Sequence, residues 1–151
     1  ATIPDIMAAF RASFRYFNTF GGNPVSCAAA MAVLDVIEDE GLQENARNVG
    51  AYAREGLRKL AKKHECIGDV RGYGLFFGAE LVTNRATKAP ATGHAVRLAN
   101  EMRHRGVLLN KLGVHYNTLK IRPPMTFGKA HADFLLETLD AALDHLGPAV
   151  D

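Results

Sequence analysis

The chain of 151 residues is long enough for one hydrophobic core, and its 48% apolar and 23% charged residues are those of an ordinary globular protein. Its formal charge of +2 is small, and the one basic cluster, Arg58, Lys59, Lys62 and Lys63, falls on the polar side of a predicted helix. That pattern reads as a solvated face and argues against a nucleic-acid partner.

The longest apolar run, Cys27 to Leu34, is too short to cross a bilayer, so no membrane partner is expected. No charged segment followed by an apolar core opens the chain, and a cytoplasmic location is the default expectation. Cys27 and Cys66 have no C-x-x-C neighbour, and Cys27, in an alanine-rich run, reads as a small buried residue.

The first element spans about residues 2–17. Thr2 and Asp5 around Pro4 suggest a capping box, and Ile6, Met7, Phe10 and Phe14 recur at helical spacing. With Ile3 and Phe17, this is more apolar surface than a small arm can hide, so it is expected to pack against other protein. Pro24 to Glu40 predicts a helix that is apolar nearly all round, which by composition is a buried one. Gly41 is placed to end it. A second long helix, about 42–64, is amphipathic along Leu42, Ala46, Val49, Ala53, Leu57 and Leu60.

Past Ile67 the period changes. Leu75, Phe77, Ala79 and Leu81 alternate with Phe76, Gly78 and Glu80 as a half-buried strand. Residues 83–93 read as a polar loop. Val96, Ala99 and Met102 mark a helix closed by Gly106, followed by a short strand at Val107-Leu108-Leu109. Leu119 and Ile121 alternate with Lys120 and Arg122 in a further strand, stopped by Pro123 and Pro124. A last helix, about 129–146, ends at Gly147-Pro148. Helices followed by strands separated by helices give an α+β fold, with a small, largely antiparallel sheet covered by helices on one face and preceded by a long connecting helix.

One segment stands out chemically. In Phe17-Asn18-Thr19-Phe20-Gly21-Gly22-Asn23-Pro24 a hydroxyl, successive glycines and a helix start converge where an anion can sit. Asn23 suits the cap position and Pro24 the first helical residue. A helix-capping turn that binds nothing uses similar residues.

Thr19-Phe20-Gly21-Gly22-Asn23-Pro24 resembles the T-[FY]-G-G-N-P signature of the class III, omega-type aminotransferases. Arg71-Gly72-Tyr73-Gly74-Leu75 is similar to that family's R-G-x-G-L segment, and Lys120-Ile121-Arg122-Pro123-Pro124 to its R-x-P-P-like segment, in the same order. The resemblance covers essentially the whole chain. It implies pyridoxal phosphate as cofactor, an amino donor and a keto acid or aldehyde acceptor as small-molecule partners, and a homodimer. It also implies the small domain of a fold type I pyridoxal-phosphate enzyme over residues 41–151, with residues 1–40 ending the large domain and forming the connecting helix.

By that resemblance Thr19 touches the cofactor phosphate across the dimer interface, with Asn18 and Gly21 beside it. Arg122 binds the substrate carboxylate or pairs with a glutamate. Arg71 either reaches the substrate or forms a structural ion pair. The family's cofactor-holding lysine lies upstream of the T-F-G-G-N-P segment, where this chain has no lysine, so no catalytic residue is assigned and the chain alone is expected to be inactive.

The histidines His64, His94, His104, His115, His131 and His145 show no paired-ligand spacing, so no metal is expected. Ser26 reads as a capping residue and not a nucleophile, because no G-x-S-x-G elbow surrounds it. Within the resemblance, the run Arg15 to Ala28 is similar to the subgroup of alanine–glyoxylate-type aminotransferases and phospho-amine phospholyases. A phosphate-eliminating lyase is therefore one alternative. A non-catalytic dimerisation or regulatory module is another.

Overall fold

The structure is a computed structural model and describes residues 2–150. It divides into two compact units, one up to Val36 and one from Ile37 onward.

The first unit contains α1 (Pro4–Ser13), a turn, and most of α2 (Pro24–Asp39). Helix α1 is shorter than the sequence suggested. Its cap is Ile3, with Pro4 in the first turn and no side-chain cap bond, so the Thr2–Asp5 capping box is not made. Pro4 fixes the backbone for helix entry without needing that bond. Phe14 leaves the helix in an extended conformation, and its ring stacks on Phe10 at 5.4 Å between centroids. Helix α2 has no buried residue, which corrects the expectation of a buried helix. A unit of two helices and a turn is too small to enclose an all-apolar helix. Cys27, on α2, is exposed for the same reason, whereas Cys66 is buried.

The second unit is the α+β body. Helix α3 (Leu42–Lys63), β1 (Ile67–Tyr73), β2 (Phe76–Asn84), β3 (Ala89–Pro90), α4 (Thr92–His104), β4 (Asn110–Leu112), β5 (Thr118–Ile121) and α5 (Lys129–Leu146) follow in order. The strands form an antiparallel sheet in the order β1-β2-β5-β4, with β3 added against β2.

Phe77, Ala79 and Leu81 of β2 and Leu119 and Ile121 of β5 point into one core with Ala53 and Leu57 of α3, Leu98 and Met102 of α4, and Leu139 and Leu143 of α5. The stripe read along α3 is the face that packs: Ala53 and Leu57 are fully buried, and Ala46, Val49 and Leu60 pack against them. Full burial of an aliphatic side chain of this size contributes about 1.5–3 kcal/mol, so this face anchors α3. Among the described residues no helix is long and apolar enough to cross a membrane.

Strand β1 has no period-two signature, because Gly68, Asp69, Arg71 and Gly72 interrupt its apolar residues. It forms as an edge strand, with Ile67 as its buried residue and backbone pairing to β2 along its length. The strand read at Val107–Leu109 lies instead at Asn110–Leu112, where it pairs with Thr118–Lys120. Leu108 is 87% exposed, while Val107 and Leu109 pack on the core as irregular chain. The short β3 sits inside the segment read as a loop.

The β1–β2 hairpin closes through Gly74-Leu75 between the paired Tyr73 and Phe76. Gly74 has φ +51, the positive value that a type II′ turn requires at its first central residue. Gly72 has φ +141, and a Cβ there would sit 2.4 Å from Phe76 O. Those two glycines serve the geometry of the hairpin.

Candidate functional site

In the first unit the turn before α2 is organised by its own side chains. Asn18 Oδ1 accepts from the N–H groups of Phe20 and Gly21, both at 3.1 Å, and Gly21 N–H also reaches Asn18 O at 3.3 Å. The amide group of Asn18 donates to the Tyr16 hydroxyl at 3.3 Å. Asn18 and Gly21 thus bond to each other, the local self-bonding that asparagine favours in turns.

Asn23 Oδ1 accepts from Ser26 N–H at 2.9 Å, which is the cap bond expected of it, and Asn23 Nδ2 donates to Phe20 O at 2.8 Å and to Ser26 Oγ at 2.9 Å. Ser26 therefore belongs to the cap. Gly22 has φ +75 with open space where a Cβ would point. Thr19 is exposed and makes no hydrogen bond among the described residues. The turn therefore holds Thr19 and Gly22 on a rigid loop with donors unspent, next to the positive end of α2.

In the second unit Arg122 follows the last residue of β5 and precedes Pro123 and Pro124. It is exposed, with no side-chain hydrogen bond or ion pair among the described residues. It lines a hollow of about 360 Å³ whose walls include Leu108, Leu109, Pro124, Phe127 and Phe134. The chain after it is pinned: Asn45 on α3 donates to Met125 O at 2.7 Å and to Phe127 O at 3.1 Å, and Phe127 N–H bonds Pro124 O at 3.0 Å. A guanidinium held at such a point can grip a carboxylate through two parallel hydrogen bonds.

Arg71 stands differently. On β1, it donates to Asp69 Oδ2 at 2.7 Å and to Glu80 Oε2 at 2.5 Å. Those carboxylates, Asp69 first and then Glu80, push its already high pKa further up. Of its two sequence readings the ion pair is the one formed in this chain. Tyr73, close by, is exposed on the sheet's open side.

No described lysine is buried: Lys111 and Lys120 are half-buried, and Lys59, Lys62, Lys63, Lys88 and Lys129 are exposed. Lys63 donates to Asp140 Oδ1 at 2.8 Å and to Asp144 Oδ2 at 2.7 Å, and His64 Nε2 lies 2.6 Å from Asp140 Oδ1. His64, Asp140 and Asp144 lie close enough to share a cation, but the Lys63 ammonium already occupies both carboxylates.

Sequence reasoning missed Asn45, whose partners are backbone carbonyls more than 79 positions away and leave no local signal. It also missed Arg85, which donates to Glu65 O, His64 O and Ile67 O at 3.0 Å each and also to Ala61 O, closing the C-terminal end of α3.

Residues 2–143 match the family described as Aminotransferase class-III. The chain is 49% identical over 145 residues to the alanine–glyoxylate aminotransferase 2 homolog 2, mitochondrial, of Arabidopsis thaliana, covering 96% of this chain and 30% of that protein. It is 45% identical over 142 residues to the ethanolamine-phosphate phospho-lyase homolog 1 of Caenorhabditis elegans, covering 93% of this chain and 30% of that one.

Among solved structures, a phospholyase from Arthrobacter in complex with phosphoethanolamine superimposes with a TM-score of 0.88 at 41% identity, over 97% of this chain and 35% of that one. An amine transaminase from an uncultivated Pseudomonas species gives a TM-score of 0.81 at 37% identity, over 91% and 31%. The chain thus spans about 30% of the length of the curated relatives it matches.

Proposed function

The chain belongs to the class-III aminotransferases, and from that premise we propose that it works as the C-terminal, small-domain part of a longer pyridoxal-phosphate enzyme. In this reading the complete protein is a homodimer that moves an amino group between an amine or amino acid and a keto acid or aldehyde. The observation that most supports it is the identity to the Arabidopsis aminotransferase homolog, 49% across 96% of the chain.

The residues present fit a phosphate-bearing cofactor at one end. Thr19 keeps its hydroxyl unspent, and Gly22 leaves open space on a rigid turn. Bound there, pyridoxal phosphate supplies an electron sink that stabilises negative charge on the substrate carbon. Thr19 would hold the phosphate of the partner subunit's cofactor, and Arg122 would orient the substrate by its carboxylate. Asn18 and Gly21 act indirectly, by fixing the turn that presents Thr19. Arg71, held by Asp69 and Glu80, fastens β1 to β2. The lysine that carries the cofactor is assigned to the part of the complete protein before Thr19, where the family pattern places it and where this chain has no lysine.

A second reading is favoured by the Arthrobacter phospholyase, whose structure fits at a TM-score of 0.88. On the same framework the enzyme eliminates phosphate from a phospho-amine. The test is the visible spectrum of the complete protein with pyridoxal phosphate, before and after an amino donor, with phosphate release from O-phosphoethanolamine followed alongside. A cofactor band altered by donor alone supports amino transfer. Phosphate release without a keto acid supports the lyase. No cofactor band at all sinks both and leaves an assembly module.

A further inference from the structure

A second hollow, of about 570 Å³, opens between the last turns of α4 and the β4–β5 edge. Arg103, Lys111, Lys120 and Arg122 line it, and no carboxylate does. Several other basic side chains of this unit meet acids: Lys63 has Asp140 and Asp144, Arg71 has Asp69 and Glu80, and Arg105 has Glu101 at 2.7 Å. Arg103 and Arg105 leave the same helix end, yet only Arg105 is paired.

Among the described residues, Arg103, Lys120 and Arg122 have no side-chain hydrogen bond or ion pair, and Lys111 has only the face of Tyr116, 5.9 Å from the ring centre. Cations gathered around one hollow repel each other unless an anion joins them. Four cations around one hollow whose lining holds no carboxylate are placed to receive negative charge from outside.

We infer that this cleft binds a small phosphate monoester. Guanidinium forks and ammonium groups together match the several oxygens of a phosphate dianion better than a single carboxylate. The volume lies in the range of small-molecule sites, about 300–1,000 Å³. Its apolar lining is aliphatic, from Val96, Ala99, Leu108 and Leu109, and suits a short carbon skeleton. It offers no aromatic platform for stacked bases, which argues against a single-stranded nucleic acid. The cleft shares Arg122 with the carboxylate site proposed above and to that extent rests on that reading. Arg103 and Lys111 belong to the cleft alone.

The test is calorimetric titration of the complete, cofactor-loaded protein with O-phosphoethanolamine and with inorganic phosphate, at low and high salt. The comparison is with the double variant Arg103→Gln/Lys111→Gln, and with Lys59→Gln/Lys62→Gln on the exposed face of α3 as control. The expected result is roughly tenfold weaker monoester binding and a shallower salt dependence in the first variant, with the control unchanged. Equal affinity in wild type and variant overturns the proposal, as does an equal loss in the control or no monoester binding by the wild type. Binding of an oligonucleotide through Arg103 and Lys111, with none of the monoester, overturns it as well. The readout is binding and not turnover. A protein with active cofactor but an indifferent cleft sinks this inference alone, and monoester binding without cofactor chemistry sinks the catalytic reading alone.

Discussion

Gly50 lies in the interior of α3, buried against the β1–β2 hairpin. A Cβ built there would stand 1.9 Å from Gly74 O and 2.3 Å from Gly74 C, where ordinary contact begins near 3.4 Å. Gly50→Ala therefore sets two effects against each other. Alanine gains about 1 kcal/mol of helix propensity over glycine. To admit the methyl group, helix and hairpin must part by more than an ångström. Gly74 O is also the acceptor of Arg54 Nη1 at 2.8 Å, a charge-assisted bond that the shift strains or breaks.

Overpacking costs about 1–3 kcal/mol, and loss of a hydrogen bond to a charged group about 1.5–3 kcal/mol. The clash outweighs the propensity gain, for a net loss of about 2–4 kcal/mol. Gly56, one and a half turns further along α3, is the internal comparison. A Cβ there meets the Cδ1 of Leu136 at 2.2 Å, the end of a side chain that can turn away. Gly56→Ala is expected to cost less than about 1.5 kcal/mol. Urea unfolding followed by circular dichroism reads both variants, with an unchanged slope as the condition for comparison. A Gly50→Ala chain as stable as wild type, or a larger loss for Gly56→Ala, would refute the reasoning.

Arg85→Met removes the donor that closes the C-terminal end of α3, and because the site is exposed the loss is expected near 1–2 kcal/mol. It should appear as faster amide exchange around residues 64–67 before any global change. The Asp140 carboxyl is held below its ordinary value of 3.8, by Lys63 first and His64 second. Its stabilisation is therefore complete above about pH 4 and fades as pH falls through the lowered folded value. At this accessible site it is worth less than about 1 kcal/mol. Asp140→Asn should flatten that part of an acid-unfolding curve, and an unchanged curve counts against the assignment. In the complete protein, Thr19→Val should weaken retention of pyridoxal phosphate about tenfold, measured by cofactor release on dilution, one hydrogen bond being worth about 1.4 kcal/mol. Arg122→Gln should raise KM for a carboxylate-bearing donor about a hundredfold, and little for a donor without a carboxylate. Equal effects on both donors would remove Arg122 from the carboxylate site.

The sequence alone determined the elements whose physics is local. The α3 stripe, the alternation of β2 around Phe77, Ala79 and Leu81, and the Asn23-Pro24 cap were legible because helical period, strand period and capping chemistry act within a few residues. The three motifs were legible as a family pattern, and the match over residues 2–143 carries the same assignment.

Tertiary structure decided whatever depended on partners distant in the chain. Strand β1 exists because β2 offers it a ladder, and β4 begins at Asn110 because β5 sets the register. The Thr2–Asp5 capping pattern was present but unused, since Pro4 alone starts α1. Composition called α2 and Cys27 buried, but burial depends on what surrounds a helix, and in this chain α2 has no buried residue and Cys27 is exposed. Among candidate residues, sequence named Thr19 in the first unit and Arg122 in the second. It could not show that Asp69 and Glu80 hold Arg71, that Asn45 pins the chain after Arg122, or that Arg103 and Lys111 gather beside it. Periodicity reports which face of an element is apolar; only the packed chain decides which charges meet and which are left to meet something else.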